Sequence, residues 1–300
     1  MFAADGSLTV GMSAYGNAAT TKETLECVQR SITGNYEVIL VDDCSPDGGA
    51  VLRLFDEFAQ AHRRTRIFRF DANLEYSGSL NAILSHARGD EILFISNDIY
   101  VCPAYIRELL FVARSDKRFG VVRGCSNYVD NNKESHNITP PLLRSFEEFV
   151  GFGSAIERQF HGQTIIDDYL VGDAFLVKRS VIDRIGTLDP QFYGYFADGD
   201  FGVRVRAAGF DLVLARGAYA GHKRHANFEY LPPAERQAKL ERRRDRVLEN
   251  WTRFKLKYGL PADLPYDFDA IPWSSLSAGA TGNALRHQPG DYSRFELTCS

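Results

Sequence analysis

The chain is poor in the features that mark several protein classes. Its five cysteines (Cys27, Cys44, Cys102, Cys125 and Cys299) are odd in number and widely scattered, with no CxxC pair. That pattern fits neither a disulfide framework nor a cysteine-ligated zinc site. Basic charge is not in surplus, because 35 Lys and Arg against 39 Asp and Glu leave a formal net charge of -4. A general nucleic-acid binder needs the opposite balance to displace counterions from phosphates, so no nucleic-acid partner is expected. Long apolar runs are also missing: Leu109 to Ala113 falls far short of the roughly 20 residues that span a bilayer. The opening MFAADGSLTV has neither a basic n-region nor a long apolar stretch, which predicts a cytoplasmic chain without a leader or a transmembrane span. Apolar residues at 44% and charged residues at 25% exclude a disordered or collagen-like polymer.

What remains is ordinary globular composition with a clear rhythm. Strand-like runs at Leu8–Met12, Glu37–Val41, Arg66–Phe70, Glu91–Ile95 and Gly120–Arg123 alternate with helical segments. Val51, Leu54, Phe55 and Phe58 recur at i, i+3, i+4, i+7, and Leu80, Ile83, Leu84 and Ala87 repeat that spacing, so each set marks one apolar helix face. Alternation of this kind predicts an α/β fold with a mostly parallel central sheet flanked by helices. Periodicity stops between Cys125 and Pro141 in CSNYVDNNKESHNITPP, a long polar loop. It resumes in DAFLVKRSVIDRIG, in a helical DGDFGVRVRAAGF and in a short strand DLVLA. These shifts predict a main domain over residues 1–230, divided into a nucleotide-binding half (1–125) and an acceptor and catalytic half (126–230). A charged helix and an extended tail follow over 231–300.

Chemistry concentrates where strands end. EVILVDDCSPDGG closes an apolar strand with Asp42 and Asp43, and EILFISNDIYV closes another with Asn97 and Asp98. Ligands bind at the carboxyl ends of strands in open α/β sheets, and hard oxygen ligands there suit magnesium or manganese. The competing reading is that these residues cap the helix or turn that follows. Between them, NLEYSGSLNAI opens a helix whose N–H groups can face a phosphate. GMSAYGN stands after the first strand in place of GxGxxG, which removes the main support for a dinucleotide dehydrogenase. In FYGYFADGDFGVRVRAAGF, aromatic residues run into Asp198, Gly199 and Asp200. Carboxylates beside Tyr193, Tyr195 and Phe196 can form a wall for a sugar ring, although acids in a first turn also favour the helix dipole. Farther on, RGAYAGHKRHANF brings His222, Lys223, Arg224 and His225, candidates for a metal or a diphosphate.

In order and spacing, these segments over roughly residues 7–225 resemble the inverting glycosyltransferases of family 2, with the GT-A fold and nucleotide-diphosphate-sugar donors. The resemblance implies that Ala14 and Tyr15 line the base, and that Asp42 and Asp43 contact base and ribose. Asn73, Ser77, Gly78 and Asn81 match a donor-side NxGxSGxxN loop, with Glu75 where Gly is usual. Ser96-Asn97-Asp98 stands for the DxD motif, placing Asn97 beside the nucleotide and leaving Asp98 as a ligand of a divalent cation, manganese or magnesium, with His222 as a second ligand. Gly172, Asp173, Tyr195, Phe196 and Asp200 are implied on the acceptor and sugar side. Asp198 is implied as the general base, with Ala197 where Glu is usual and Asp200 as the fallback base. The expected partners are a nucleotide-diphosphate sugar and a glycan, lipid-linked, protein or small-molecule acceptor.

Two other classes compete. A signalling receiver also carries an acidic pair at a strand end, but its fifth strand should end in Lys, where Arg123 stands. A catalytically inactive sugar-nucleotide binder would explain Glu75, Ser96 and Ala197. The helix from about Ala234 to Tyr258 holds nine Lys or Arg against four Asp or Glu. The helix reads first as a solvated one packed by Leu240, Val247, Trp251 and Phe254, with a basic face toward an anionic acceptor or the inner membrane surface as the functional alternative and the C-terminal region as the candidate surface for a homo-oligomer.

Overall fold

The computed structural model describes residues 2–129, 133–223, 232–277 and 285–297. Its elements run β1 (Phe2–Ala14), α1 (Ala18–Ser31), β2 (Ile32–Asp42), α2 (Ala50–Ala61), β3 (Thr65–Arg69), α3 (Glu75–His86), β4 (Glu91–Ser96) and β5 (Ile99–Tyr100). There follow α4 (Pro103–Ser115), β6 (Phe119–Ser126), α5 (Phe146–Phe160), β7 (Thr164–Asp167), β8 (Ala174–Lys178), α6 (Arg179–Ile185), α7 (Ala197–Ala207) and β9 (Asp211–His222). A C-terminal helix spans Pro233–Tyr258, and β10 (Glu296–Leu297) comes last.

Among the described residues the sheet order is β10-β3-β2-β1-β4-β8-β6-β9-β5, with β7 beside β9. Strands β3, β2, β1 and β4 are mutually parallel, as crossover helices require. The expectation of parallel pairing stops at β8, which lies antiparallel between β4 and β6. That reversal leaves β6 and β9 running with β4, so the carboxyl ends of all these strands share one edge, and β8 starts from the same edge. Register keeps the ends level: Ala14 pairs with Asp42, Ser13 with Ser96, and Ile95 with Ala174. The segment expected as the short strand DLVLA is the first part of a longer one that continues to His222.

Each central strand is buried on both faces, which explains its continuous apolar run. In β2, Val38 and Leu40 face the core built with α1, α2, α4 and α5, while Ile39 and Val41 face the core built with α3, α6, α7 and the C-terminal helix. The tail read from sequence as loop contributes Ile271, Trp273, Leu276 and Phe295 to that second core. Its last strand pairs with β3, where Arg66 donates to Glu296 at 2.7 and 2.8 Å. No helix among the described residues is long and apolar enough to cross a membrane.

Candidate active site

In the turn after β2 the two capping roles are divided: Asp42 caps the turn, but neither acid caps the helix that follows. Asp47, not the acidic pair, caps α2, its carboxylate accepting from the N–H groups of Gly49, Ala50 and Val51 at 3.0 Å each. Asp42 and Asp43 are left at the strand end. Asp42 accepts from the Ser45 N–H at 2.9 Å and keeps its other oxygen 3.5 Å from Arg69. Asp43 accepts from the Leu74 N–H at 2.6 Å, and burial, with Glu75 and Asp42 adding to it, pushes its carboxyl up to about 7. The Ala14 carbonyl accepts from the Asp43 N–H, and the adjoining Tyr15 is 39% exposed at the same edge, where a planar base could lie against it.

Two donor-side expectations change. Ser77 is buried and does not face the strand-end crevice: its hydroxyl donates to the Phe192 carbonyl and accepts from the Gly194 N–H, which ties α3 to the aromatic loop before α7. Asn97 is spent in the same way, its amide donating to Thr21 and its carbonyl accepting from Thr24. Asn73 accepts from the Glu75 N–H, Gly78 packs against Leu74 in the first turn of α3, and Asn81 holds Leu188. Glu75, at φ 58, occupies a left-handed conformation that favours glycine. Its carboxylate is turned away to Arg246 on the C-terminal helix.

At the other strand ends, β5 pairs Ile99 with His222 and so brings Asp98 beside the imidazole. The Tyr128 carbonyl, 3.0 Å from His222 Nδ1, can only accept, so Nδ1 carries the proton. Nε2 then turns its lone pair toward Asp98 Oδ2, 3.6 Å away, while Asp173 Oδ2 lies 3.9 Å from Nδ1. Burial works against a charged imidazole here, but Asp98, aided by Asp173, outweighs it and holds the group above its ordinary range. A lone pair facing a carboxylate calls for a cation or a proton between them, so these oxygen and imidazole donors fit a divalent metal. A different group, Asp189, Asp200 and His287, has donor atoms within 4.8 Å of one another. Lys257 already fills it, 2.6 Å from Asp189, and its ammonium supplies the positive charge.

Asp198 opens α7 and faces a cavity of about 580 Å³ lined also by Tyr76, Ser96, Gly172, Asp173, Tyr195, Phe196 and His222. Its two oxygens accept from the Gly172 and Gly199 N–H groups, both at 2.9 Å. Enclosure raises its carboxyl to about 6, against the lowering effect of those N–H groups. Gly172 is required by close approach: a Cβ there would lie 2.0 Å from the Tyr76 hydroxyl and 2.9 Å from Asp198 Cβ. Asp173 is held by Arg123, which also donates to the Val171 carbonyl. Arg123 and Tyr76, whose hydroxyl donates to the Gly172 carbonyl at 2.9 Å, escaped the sequence reading. An arginine within a strand-like run, FGVVRGCS, was the available signal for Arg123.

Asp200 does not belong to the acceptor side or to the base. It is fully buried between Arg204 at 2.8 Å, Tyr258 at 2.7 Å and Lys257. Phe196 is mostly buried, stacked on Trp251 at 5.5 Å, and offers the cavity only part of its surface. Lys223 pairs with Glu23, and Arg224 and His225 lie outside the described residues. Four residues of the tail, Tyr266, Phe268, Asp269 and Trp273, also line the cavity and were not anticipated.

A strand-end acidic pair, a carboxylate in a cavity and a carboxylate–imidazole cluster thus lie along one sheet edge. The family model described as glycosyl transferase family 2 matches residues 9–186, and the chain belongs to that family. It is 25% identical over 232 residues to the uncharacterized protein y4gI of Sinorhizobium fredii (strain NBRC 101917 / NGR234), covering 74% of this chain and 25% of that one. It is 22% identical over 203 residues to the uncharacterized glycosyltransferase YwdF of Bacillus subtilis (strain 168), covering 66% and 67%. The chain thus spans a quarter of the first relative's length. Among solved structures it resembles the mannosyltransferase PcManGT from Pyrobaculum calidifontis in complex with GDP-Man and Mn2+, at a TM-score of 0.55 and 16% identity, covering 85% of this chain and 66% of that one. That likeness concerns the fold, which is GT-A.

Proposed function

We infer that the protein transfers a sugar from a nucleotide-diphosphate donor to an acceptor hydroxyl with inversion, Asp198 acting as general base. One observation carries this reading: Asp198 reaches the cavity held by two backbone N–H groups, whereas Asp200, two residues on, is neutralised by buried cations. Only the first can accept a proton. The acceptor oxygen attacks the anomeric carbon as the bond to the leaving phosphate oxygen breaks, and the hydroxyl proton passes to the Asp198 carboxylate. Asp42, Asp43 and Tyr15 bind the nucleoside. Asp98 and His222 would hold a divalent metal, manganese or magnesium, whose charge would offset that of the diphosphate.

The test is donor turnover by the purified protein with manganese across a panel of nucleotide sugars, with the product anomer read by NMR. Asp198→Asn should bind donor as the parent does and turn over roughly a hundredfold more slowly or worse. Near-normal turnover in that variant, or a product that keeps the donor configuration, defeats the assignment. Donor binding without any turnover in the parent leaves a silent sugar-nucleotide binder.

A further inference from the structure

The family match ends at residue 186, yet the cavity around Asp198 is closed by a much later segment. Residues 264–276 are fixed there. The Leu264 carbonyl accepts from the Trp251 indole at 3.2 Å, the Phe268 carbonyl from the Trp273 indole at 3.2 Å, and the Trp273 and Ser274 carbonyls from Arg206 at 2.7 and 2.9 Å. Trp273 is wedged against α7 at the residue after Asp198, since a Cβ on Gly199 would lie 2.8 Å from the edge of its indole. Tyr266 stands edge-on to Phe196 at 5.8 Å and keeps 43% of its surface exposed. Tyr195 and Asp269 line the same space.

We propose that this segment completes the acceptor subsite and that the acceptor presents a saccharide ring there, stacked on Tyr266 with Asp269 accepting from its hydroxyls. The proposal rests on the transferase reading above. Aromatic faces match the C–H face of a sugar, and carboxylates match its hydroxyls. Three carboxylates, Asp173, Asp198 and Asp269, line the one cavity and disfavour an anionic group in its place.

Both tryptophans of the chain flank the subsite, Trp251 at 6.1 Å from Tyr266 and Trp273 at 5.2 Å from Phe268, so their emission reports its occupancy. The intact chain, with UDP or GDP and manganese, is titrated with methyl glycosides and short oligosaccharides of glucose, galactose, mannose and N-acetylglucosamine, and in parallel with a short-chain polyprenyl phosphate. At least one should give a saturable change. Tyr266→Ala should weaken that binding roughly tenfold, Tyr266→Phe should restore it, and nucleotide affinity and the thermal midpoint should hold in both. No response from any glycoside, a response only to a polyprenyl phosphate, or an unchanged Tyr266→Ala variant overturns the proposal. Failure to bind any nucleotide or to turn over any nucleotide sugar counts against the transferase reading instead.

Discussion

Replacing Asp198 by asparagine should make the protein more stable while silencing it. Enclosure lifts the carboxyl from 3.8 to about 6, a shift of roughly 2 units, so ionising it in the folded protein costs about 3 kcal/mol relative to the unfolded chain. For a carboxyl raised on folding, the associated stability is fully present below the unfolded pKa and lost as pH rises through the folded one. The penalty is therefore complete above about pH 7 and absent below about pH 4. Asparagine never carries it. One of the two N–H groups from Gly172 and Gly199 would then face an amide nitrogen, a loss of about 1 kcal/mol, leaving a net gain of about 2 kcal/mol at pH 7.5.

Urea unfolding of parent and variant at pH 7.5 and pH 4 measures this directly. The gap should be present at the first pH and close at the second. In the parent, turnover should fall about tenfold for each unit of pH below 6, because only the ionised base accepts a proton. A variant that is no more stable at pH 7.5, or a parent turnover that stays flat from pH 8 to pH 5, would refute the enclosure argument.

Asp98→Ala should abolish metal-dependent nucleotide binding, and His222→Ala should weaken it by roughly tenfold, since Asp98 and the diphosphate remain; calorimetry with and without manganese decides. Asp200→Asn should cost about 3–5 kcal/mol in urea unfolding, because it leaves Arg204 and Lys257 buried beside a neutral group. Glu75→Gly should be close to neutral in the same assay: it relieves about 1 kcal/mol of left-handed strain and loses a partly exposed ion pair with Arg246 of similar worth. Vesicles of anionic lipid should not sediment the protein at roughly 0.15 M salt. Arg246, Arg253, Lys255 and Lys257 of the C-terminal helix already bond within the fold, and sedimentation would restore the membrane reading of that helix.

What could be read from the sequence was local. Within EVILVDD the stretch VILV is apolar without interruption because β2 is covered on both faces, and the two acids after it stand at the carboxyl edge of the sheet, where ligands bind in open α/β folds. Polar residues whose partners lie far along the chain were not legible in this way. Ser77 meets Phe192 and Gly194, Asn97 meets Thr21, and Trp273 meets α7 at Gly199. Nothing in the Pro-, Gly- and Ser-rich tail has a period that could announce a core face. Its aromatic residues acquire an inside through partners far back along the chain: Tyr266 through Phe196 and Trp251, Trp273 through Tyr169 and Phe254, and Phe295 through Phe70.

The Asp-Gly-Asp sequence shows how near the two cases stand. At about 100° per residue, positions 198 and 200 point about 200° apart around α7, so one carboxylate must face outward from the helix and the other inward. The inner one is tolerable only with cations, and Arg204, one turn later, and Lys257 and the Tyr258 hydroxyl on the C-terminal helix supply the charge and hydrogen bonds. That arrangement ties the orientation of α7 to the C-terminal helix. The same helix carries Arg246, which draws Glu75 away from the donor-side loop, and Trp251, which supports Phe196 beneath the cavity. Placement of Asp198 thus depends on a helix about fifty residues downstream. A shift of that helix would reach Asp198 through Asp200 and would also move Val247, which lines the cavity.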